Sequence, residues 1–193
     1  MDKLPLVIAS GNQGKIAEFK KLLDDFSFDL LTQPVGFEIE ETGSTFIENA
    51  RIKAIAVSQA TGNLSLADDS GLSVESLGGA PGIYSSRFAN NDFERINRVL
   101  SELKGIKNRR AFFIANTCLS SPEGKVICNF EGKCFGNILL EPRGKNGFGY
   151  DPIFEEEETQ LTFAEMSNEL KDVYSHRGKA IAKIIPNLIE IYN

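Results

Sequence analysis

The stretch Leu66-Ala67-Asp68-Asp69-Ser70-Gly71-Leu72 constrains this chain more tightly than any other. The apolar run 64–67 reads as a short buried strand, and two carboxylates, a hydroxyl and a glycine follow it directly. The pattern predicts a strand that stops at residue 67 and delivers Asp68 and Asp69 to a crevice at the carboxyl end of a sheet, where α/β enzymes place their chemistry. A carboxylate there can hold a divalent cation or take a proton from water. Successive strand residues point to opposite faces, so one aspartate acts directly and the other supports it unless the strand has already ended. Taken alone, the stretch is also readable as a solvated turn.

The flanking segments alternate between strand and helix patterns, which makes α/β the expected class. Residues 4–9 read as a first strand, and Ser10-Gly11-Asn12-Gln13-Gly14-Lys15 turns it into a helix with Ile16, Phe19, Leu22, Leu23 and Phe26 on one face. A glycine-bearing turn ending in lysine suits a phosphate, because backbone N–H groups and the helix dipole favour an anion. It is not a Walker A loop, and a plain capped turn with a surface lysine has the same look. Residues 28–32 suggest a second strand, and Glu38, Glu40 and Glu41 bring three carboxylates together before Thr45-Phe46-Ile47-Glu48. That last segment has the form of a capping box, so a helix is expected over 46–60 with Phe46, Ala50, Ala54 and Val57 buried and Lys53 projecting from it. Glu40 becomes the candidate to reach the same cation as Asp69.

Farther on, Phe93, Ile96, Leu100 and Leu103 have helical spacing and are read as core, and residues 111–119 and 125–130 form a hairpin across Ser121-Pro122-Glu123-Gly124. Phe148-Gly149-Tyr150-Asp151 follows a glycine, Gly147, and suits stacking on a planar base; a core aromatic in a kinked strand is the other reading of Tyr150. The acidic run 155–158 reads as solvated loop. Ser175 can cap a last helix whose apolar positions are Ile181, Ile184, Ile185 and Leu188, which puts His176 and Arg177 in its first turn; Pro186 is expected to kink or divide it.

At 193 residues the chain has the length of one domain, spanning 1–193, with a sizeable core. A net charge of −6 argues against a broad nucleic-acid-binding surface, though lysines can still focus a positive field in one cleft. No run approaches the roughly 20 apolar residues of a membrane span, so a cytoplasmic protein without membrane contact is expected. Cys118, Cys128 and Cys134 lack metal or disulfide spacing, and a single histidine disfavours zinc.

Six motifs then occur in order: Ser10 to Lys15; Glu40-Glu41-Thr42-Gly43-Ser44-Thr45-Phe46-Ile47-Glu48-Asn49-Ala50; Ala67-Asp68-Asp69-Ser70-Gly71-Leu72; Leu77-Gly78-Gly79-Ala80-Pro81-Gly82-Ile83-Tyr84-Ser85; Phe148-Gly149-Tyr150-Asp151-Pro152-Ile153-Phe154; and Ser175-His176-Arg177. Together they make the chain, from Leu6 to about Lys183, resemble the inosine triphosphate pyrophosphatase family, closest to its bacterial branch. Those enzymes hydrolyse ITP, dITP and XTP to the monophosphate and pyrophosphate. Ser10 stands where members often have threonine. The resemblance implies a long bent mixed sheet with helices, two lobes around a central cleft, a homodimer, and Mg²⁺ as cofactor. It implies Asp69 as base and metal ligand, and Glu40, with Glu41 as its nearest competitor, as the second metal carboxylate. Ser10, Gly11, Asn12, Gln13, Gly14 and Lys15, helped by Lys53, Ser70 and Lys171, would wrap the triphosphate. Phe148, Gly149, Tyr150 and Asp151 would hold the base, with His176 and Arg177 at its 6-oxo edge. A pyrophosphatase for modified pyrimidine nucleotides and a nucleotide binder without catalysis are the competing readings.

Overall fold

The computed structural model describes residues 5–26 and 28–192, so the expected strand start at Leu4 lies outside the described residues. Strand β1 (Pro5–Ala9) leads into helix α1 (Gln13–Leu22), and β2 (Asp29–Thr32) precedes α2 (Phe46–Thr61). Then come β3 (Leu64–Val74), α3 (Asp92–Glu102), β4 (Arg110–Ser120), β5 (Val126–Ile138), β6 (Phe154–Glu156), α4 (Asn168–Tyr174) and α5 (His176–Tyr192). The strands form one mixed six-stranded sheet in the order β2-β1-β3-β4-β5-β6. β1 runs parallel to both β2 and β3, whereas β6 runs antiparallel to β5. The expected hairpin, β4 and β5, is part of this sheet.

By its contacts the chain falls into two compact units. The first takes the chain through Asp69, then Ala115–Glu131 and the residues from Ala180 on. Here β1 and the start of β3 are covered on both faces, as a parallel pair requires. Leu6, Ile8 and Leu66 pack with Ile16 and Phe19 of α1 and Ile181, Ile184 and Leu188 of α5. Val7, Ala9 and Ala67 face the other way, onto Ala50, Ala54 and Val57 of α2. Each large side chain buried there contributes about 1.5–3 kcal/mol. Helix α2 begins as its sequence dictates: Thr45 Oγ1 accepts the Glu48 N–H, and Glu48 reaches back to the Thr45 N–H.

The second unit comprises Ser70–Ile114 and Gly132–Lys179. Its core gathers Leu72 and Val74 of β3, Ile96 and Val99 of α3, Phe113 of β4, Cys134 and Ile138 of β5, and Tyr150, Phe154 and Phe163. Phe93 does not join this core; in the first turn of α3 it stays 74% exposed. Glu156 corrects the reading of the acidic run, since its buried carboxylate accepts the N–H groups of Glu158 and Thr159 inside a turn. Helix α5 continues through Pro186 as one element.

Candidate active site

The segment around Asp68 and Asp69 departs from its expected form. β3 does not stop at Ala67 but continues through both aspartates to Val74. Both carboxylates are buried, and a buried polar residue inside a strand looks, in sequence, like the strand's end. The alternation of the strand therefore decides where each one points. Asp68 follows Leu66 towards the α1 side, where Lys15 Nζ lies 3.3 Å from its Oδ1. Asp69 follows Ala67 towards α2, where Lys53 Nζ lies 3.3 Å from Oδ1 and Asn49 Nδ2 donates to Oδ2 at 3.1 Å.

Register explains why Lys15 arrives there. Ala9 pairs with Ala67, so β1 ends where the aspartates begin, and the turn that follows β1 opens beside them. In that turn Ser10 Oγ accepts the Asn12 N–H, and Asn12 Oδ1 caps α1 through the Lys15 N–H. Gly11, Asn12 and Gln13 are exposed, and the first turn of α1 carries no acidic residue. A helix N-terminus without a carboxylate of its own, followed by a lysine, is a favourable place for an anion.

Of the two glutamates, Glu41 makes the contact: its Oε1 accepts from Lys53 Nζ at 2.7 Å, while Glu40 is exposed. Three carboxylates, Glu41, Asp68 and Asp69, thus face two ammonium groups, those of Lys15 and Lys53. Burial raises the pKa of Asp69; Lys53 and Lys15 pull it down and Glu41 adds to the rise, leaving it above the ordinary value. Burial opposes the charge on Lys53, but Asp69, Asp68 and Glu41 outweigh it and hold its pKa up. Three carboxylates against two ammonium groups leave one negative charge over, which favours a divalent cation.

The second unit holds the other sequence-selected residues. Asp151 is buried and its Oδ2 accepts both the Phe148 N–H at 3.0 Å and Lys171 Nζ at 2.6 Å. A Cβ on Gly147 would collide with the same oxygen, so the glycine is demanded by the close approach of the carboxylate. Lys171 Nζ also stands 5.2 Å from the centre of the half-buried Phe148 ring. Lys171 is thus paired with Asp151 within the second unit. Gly149 donates its N–H to Asp92 Oδ2 at 2.7 Å, a support from α3 that the sequence reading did not include. Tyr150 is only 4% exposed, and its hydroxyl donates to the Ser85 carbonyl at 2.8 Å, which makes it a core aromatic.

Ser175 caps α5 as expected, its Oγ accepting the Gly178 N–H at 3.0 Å. That start fixes His176 and Arg177. His176 stacks on Phe113 with ring centres 4.7 Å apart and an interplanar angle of 12°. Arg177, 2% exposed, donates from Nη2 to Ser70 Oγ at 2.8 Å.

With these two clusters described, comparison with known proteins is decisive. The model of the Ham1 family matches residues 6–187. The chain belongs to the Ham1 family. A dITP/XTP pyrophosphatase of Prochlorococcus marinus (strain NATL1A) is 65% identical over 191 residues, 99% of this chain and 97% of its own. A HAM1 protein from Coxiella burnetii has a solved structure with TM-score 0.86 and 43% identity, covering 97% of this chain and 99% of that one. The Ham1 protein of Staphylococcus aureus gives 0.84 and 40%, covering 96% and 98%. For this Ham1 chain, besides Asp92, sequence reasoning passed over Asn49, fully buried on α2. Its signal was an amide beside Ala50, in the stripe of a helix otherwise read as apolar on that face.

Proposed function

We propose that the protein hydrolyses non-canonical purine nucleoside triphosphates, ITP, dITP and XTP, to the nucleoside monophosphate and pyrophosphate. The observation that carries this is the carboxylate–lysine cluster of Glu41, Asp68, Asp69, Lys15 and Lys53 beside a phosphate-type turn. The full-length similarity to dITP/XTP pyrophosphatases supports the same reading. Clearing such nucleotides keeps deaminated purines out of DNA and RNA.

The cluster fits Mg²⁺. Its donors are carboxylate oxygens only, and they exceed the ammonium charge around them. Among the described residues no three His, Cys, Asp or Glu side chains are gathered as a complete metal set. A cation that keeps waters and takes substrate phosphate oxygens needs no more than one or two carboxylates. Asp69 with Glu41, the glutamate that touches Lys53 while Glu40 faces solvent, would hold it. When bound, Mg²⁺ neutralises phosphate oxygens and makes the α-phosphorus more electrophilic.

The remaining work falls to the chain. The exposed 11–13 turn at the start of α1 and the Lys15 and Lys53 ammonium groups bind the triphosphate and offset charge on the departing pyrophosphate. Asp69 orients a water in line with the α-phosphorus and takes its proton; the new P–O bond forms as the bond to the bridging oxygen breaks. Phe148, on the loop held by Asp151, Lys171 and Asp92, offers a face for the purine. His176 and Arg177 present donors to a 6-oxo group. Adenine's 6-amino group would leave donors unpaired, at about 1–3 kcal/mol each. A homodimer in the cytoplasm completes the proposal; among the described residues no helix is long and apolar enough to cross a membrane.

The test offers ITP, XTP, ATP, GTP and modified pyrimidine triphosphates separately with Mg²⁺ and identifies the phosphorus product. Pyrophosphate from ITP and XTP with little from ATP or GTP is expected. Orthophosphate release, or equal use of ATP, would refute the reading.

A further inference from the structure

Both oxygens of Asp69 are held by a single helix. Lys53 Nζ lies 3.3 Å from Oδ1 and Asn49 Nδ2 lies 3.1 Å from Oδ2. The two residues are four apart on α2, hence on one face, a helical turn from each other. Each also ties back to the segment that precedes the helix. Lys53 Nζ bonds Glu41 Oε1 at 2.7 Å, and Asn49 Oδ1 accepts the Gly43 N–H at 2.8 Å. The contacts close a ring from Asp69 through Asn49, Gly43, Thr42, Glu41 and Lys53 back to Asp69.

Asn49 is fully buried, and its two ends have different partners. An ionised carboxylate only accepts and an amide N–H only donates, so this position needs one donor and one acceptor on a planar group of this length. A leucine would take a partner from a buried Asp69 oxygen and from the half-buried Gly43 N–H, and an aspartate would set carboxylate against carboxylate. Gly43 gives an independent indication of the fit. A Cβ there would stand 2.6 Å from Asn49 Oδ1 and 2.7 Å from Glu48 Cβ, so residue 43 has no side chain where the amide sits.

We propose that Asn49 is a positioning residue for hydrolysis: it sets the rotation of the Asp69 carboxylate and locks the 41–43 segment, with Glu41, to it. This rests on the reading of Asp69 as the base. Such supporting partners typically change activity by about 10–100-fold when removed, because they hold a reacting group in its working orientation. Substrate contacts are not involved, so the loss belongs to kcat.

Steady-state kinetics with ITP and Mg²⁺ on Asn49→Leu, Asn49→Ala, Gly43→Ala and the Gly43→Ala/Asn49→Ala pair tests this. Asn49→Leu is expected to lose kcat by about 10–100-fold with KM within about threefold. Gly43→Ala is expected to lose kcat too, and by less in the Asn49→Ala background, where its clash with the amide oxygen is gone and only those with Glu48 Cβ and the residue 49 backbone remain. Deuterium exchange at the Gly43 amide, followed without metal or nucleotide, should quicken in both Asn49 variants. Unchanged Gly43 exchange, additive losses, or kcat within about threefold of the parent would overturn the proposal. An unaltered protein inactive on ITP and XTP would instead sink the proposed function, leaving the exchange measurement to decide the clamp.

Discussion

Replacing Tyr150 by Phe removes one oxygen from the core of the second unit and separates two roles for this residue. Its hydroxyl donates to the Ser85 carbonyl at 2.8 Å, and Ser85 Oγ in turn accepts the Leu72 N–H at 3.0 Å and donates to the Gly82 carbonyl at 2.6 Å. The phenol thus ties the 3-10 segment Gly82–Arg87 to the 148–151 loop, while Ser85 Oγ ties the same segment to β3. Burial pushes its pKa well above the usual tyrosine value, so it stays a neutral donor at every practical assay pH. Phenylalanine keeps the ring and strands the buried carbonyl, which costs about 1–2 kcal/mol. For a chain of this size each kcal/mol moves Tm by about 2–4 °C, so a fall of about 2–8 °C is expected by calorimetry. Meanwhile kcat/KM for ITP should stay within about twofold, because the phenol's hydroxyl is turned to the Ser85 carbonyl rather than to a base. An unchanged Tm, or a large loss in kcat/KM without a fall in Tm, would refute this account of Tyr150.

Other outcomes follow from the same geometry. Asp69→Asn should keep nucleotide binding by calorimetry and lose turnover; near-normal turnover would remove Asp69 as base. Gly178→Ala places a Cβ against the Asp172 carbonyl and should cost about 1–3 kcal/mol in denaturant unfolding, since backbone rather than a flexible side chain must move. Burial pushes the Cys118 and Cys134 thiols up to about 12 and Cys128 up to about 11, so native protein at pH 8 should be alkylated far more slowly than unfolded protein. Bonds from Ser44 and Thr45 hold the Glu48 carboxyl below its ordinary pKa. Its stabilisation is therefore complete above the unfolded value and is lost as pH falls through the lower folded one, so Glu48→Gln should weaken the acid dependence of unfolding.

Local chemistry was legible where it acts over a few residues. Thr45 and Glu48 announced the start of α2, and Ser175 that of α5, because a cap needs only its own helix turn. The β1–α1 turn was legible for the same reason. What escaped depends on partners distant in sequence. Asp68 and Asp69 remain inside β3 because Lys15, Asn49 and Lys53 meet them there, and no window around residue 68 contains those residues. Lys171, which the resemblance assigns to the triphosphate, is bonded to Asp151, a partner twenty residues away that its own sequence window does not contain. The three-residue β6 and seven-residue α4 are too short for a periodic signal. Glu40 and Glu41 are adjacent and chemically alike, so only the side chain's direction could separate them.

The first turn of α2 has a consequence for how the protein responds to heat. Helix ends open at lower free energy than helix centres, and here Glu48 Oε2 holds that end through Ser44 and Thr45, one residue before Asn49. Warming that frays this single turn would release the base from its orientation while the two cores remain packed. Inactivation would then be local and reversible, setting in several degrees before the fold itself melts.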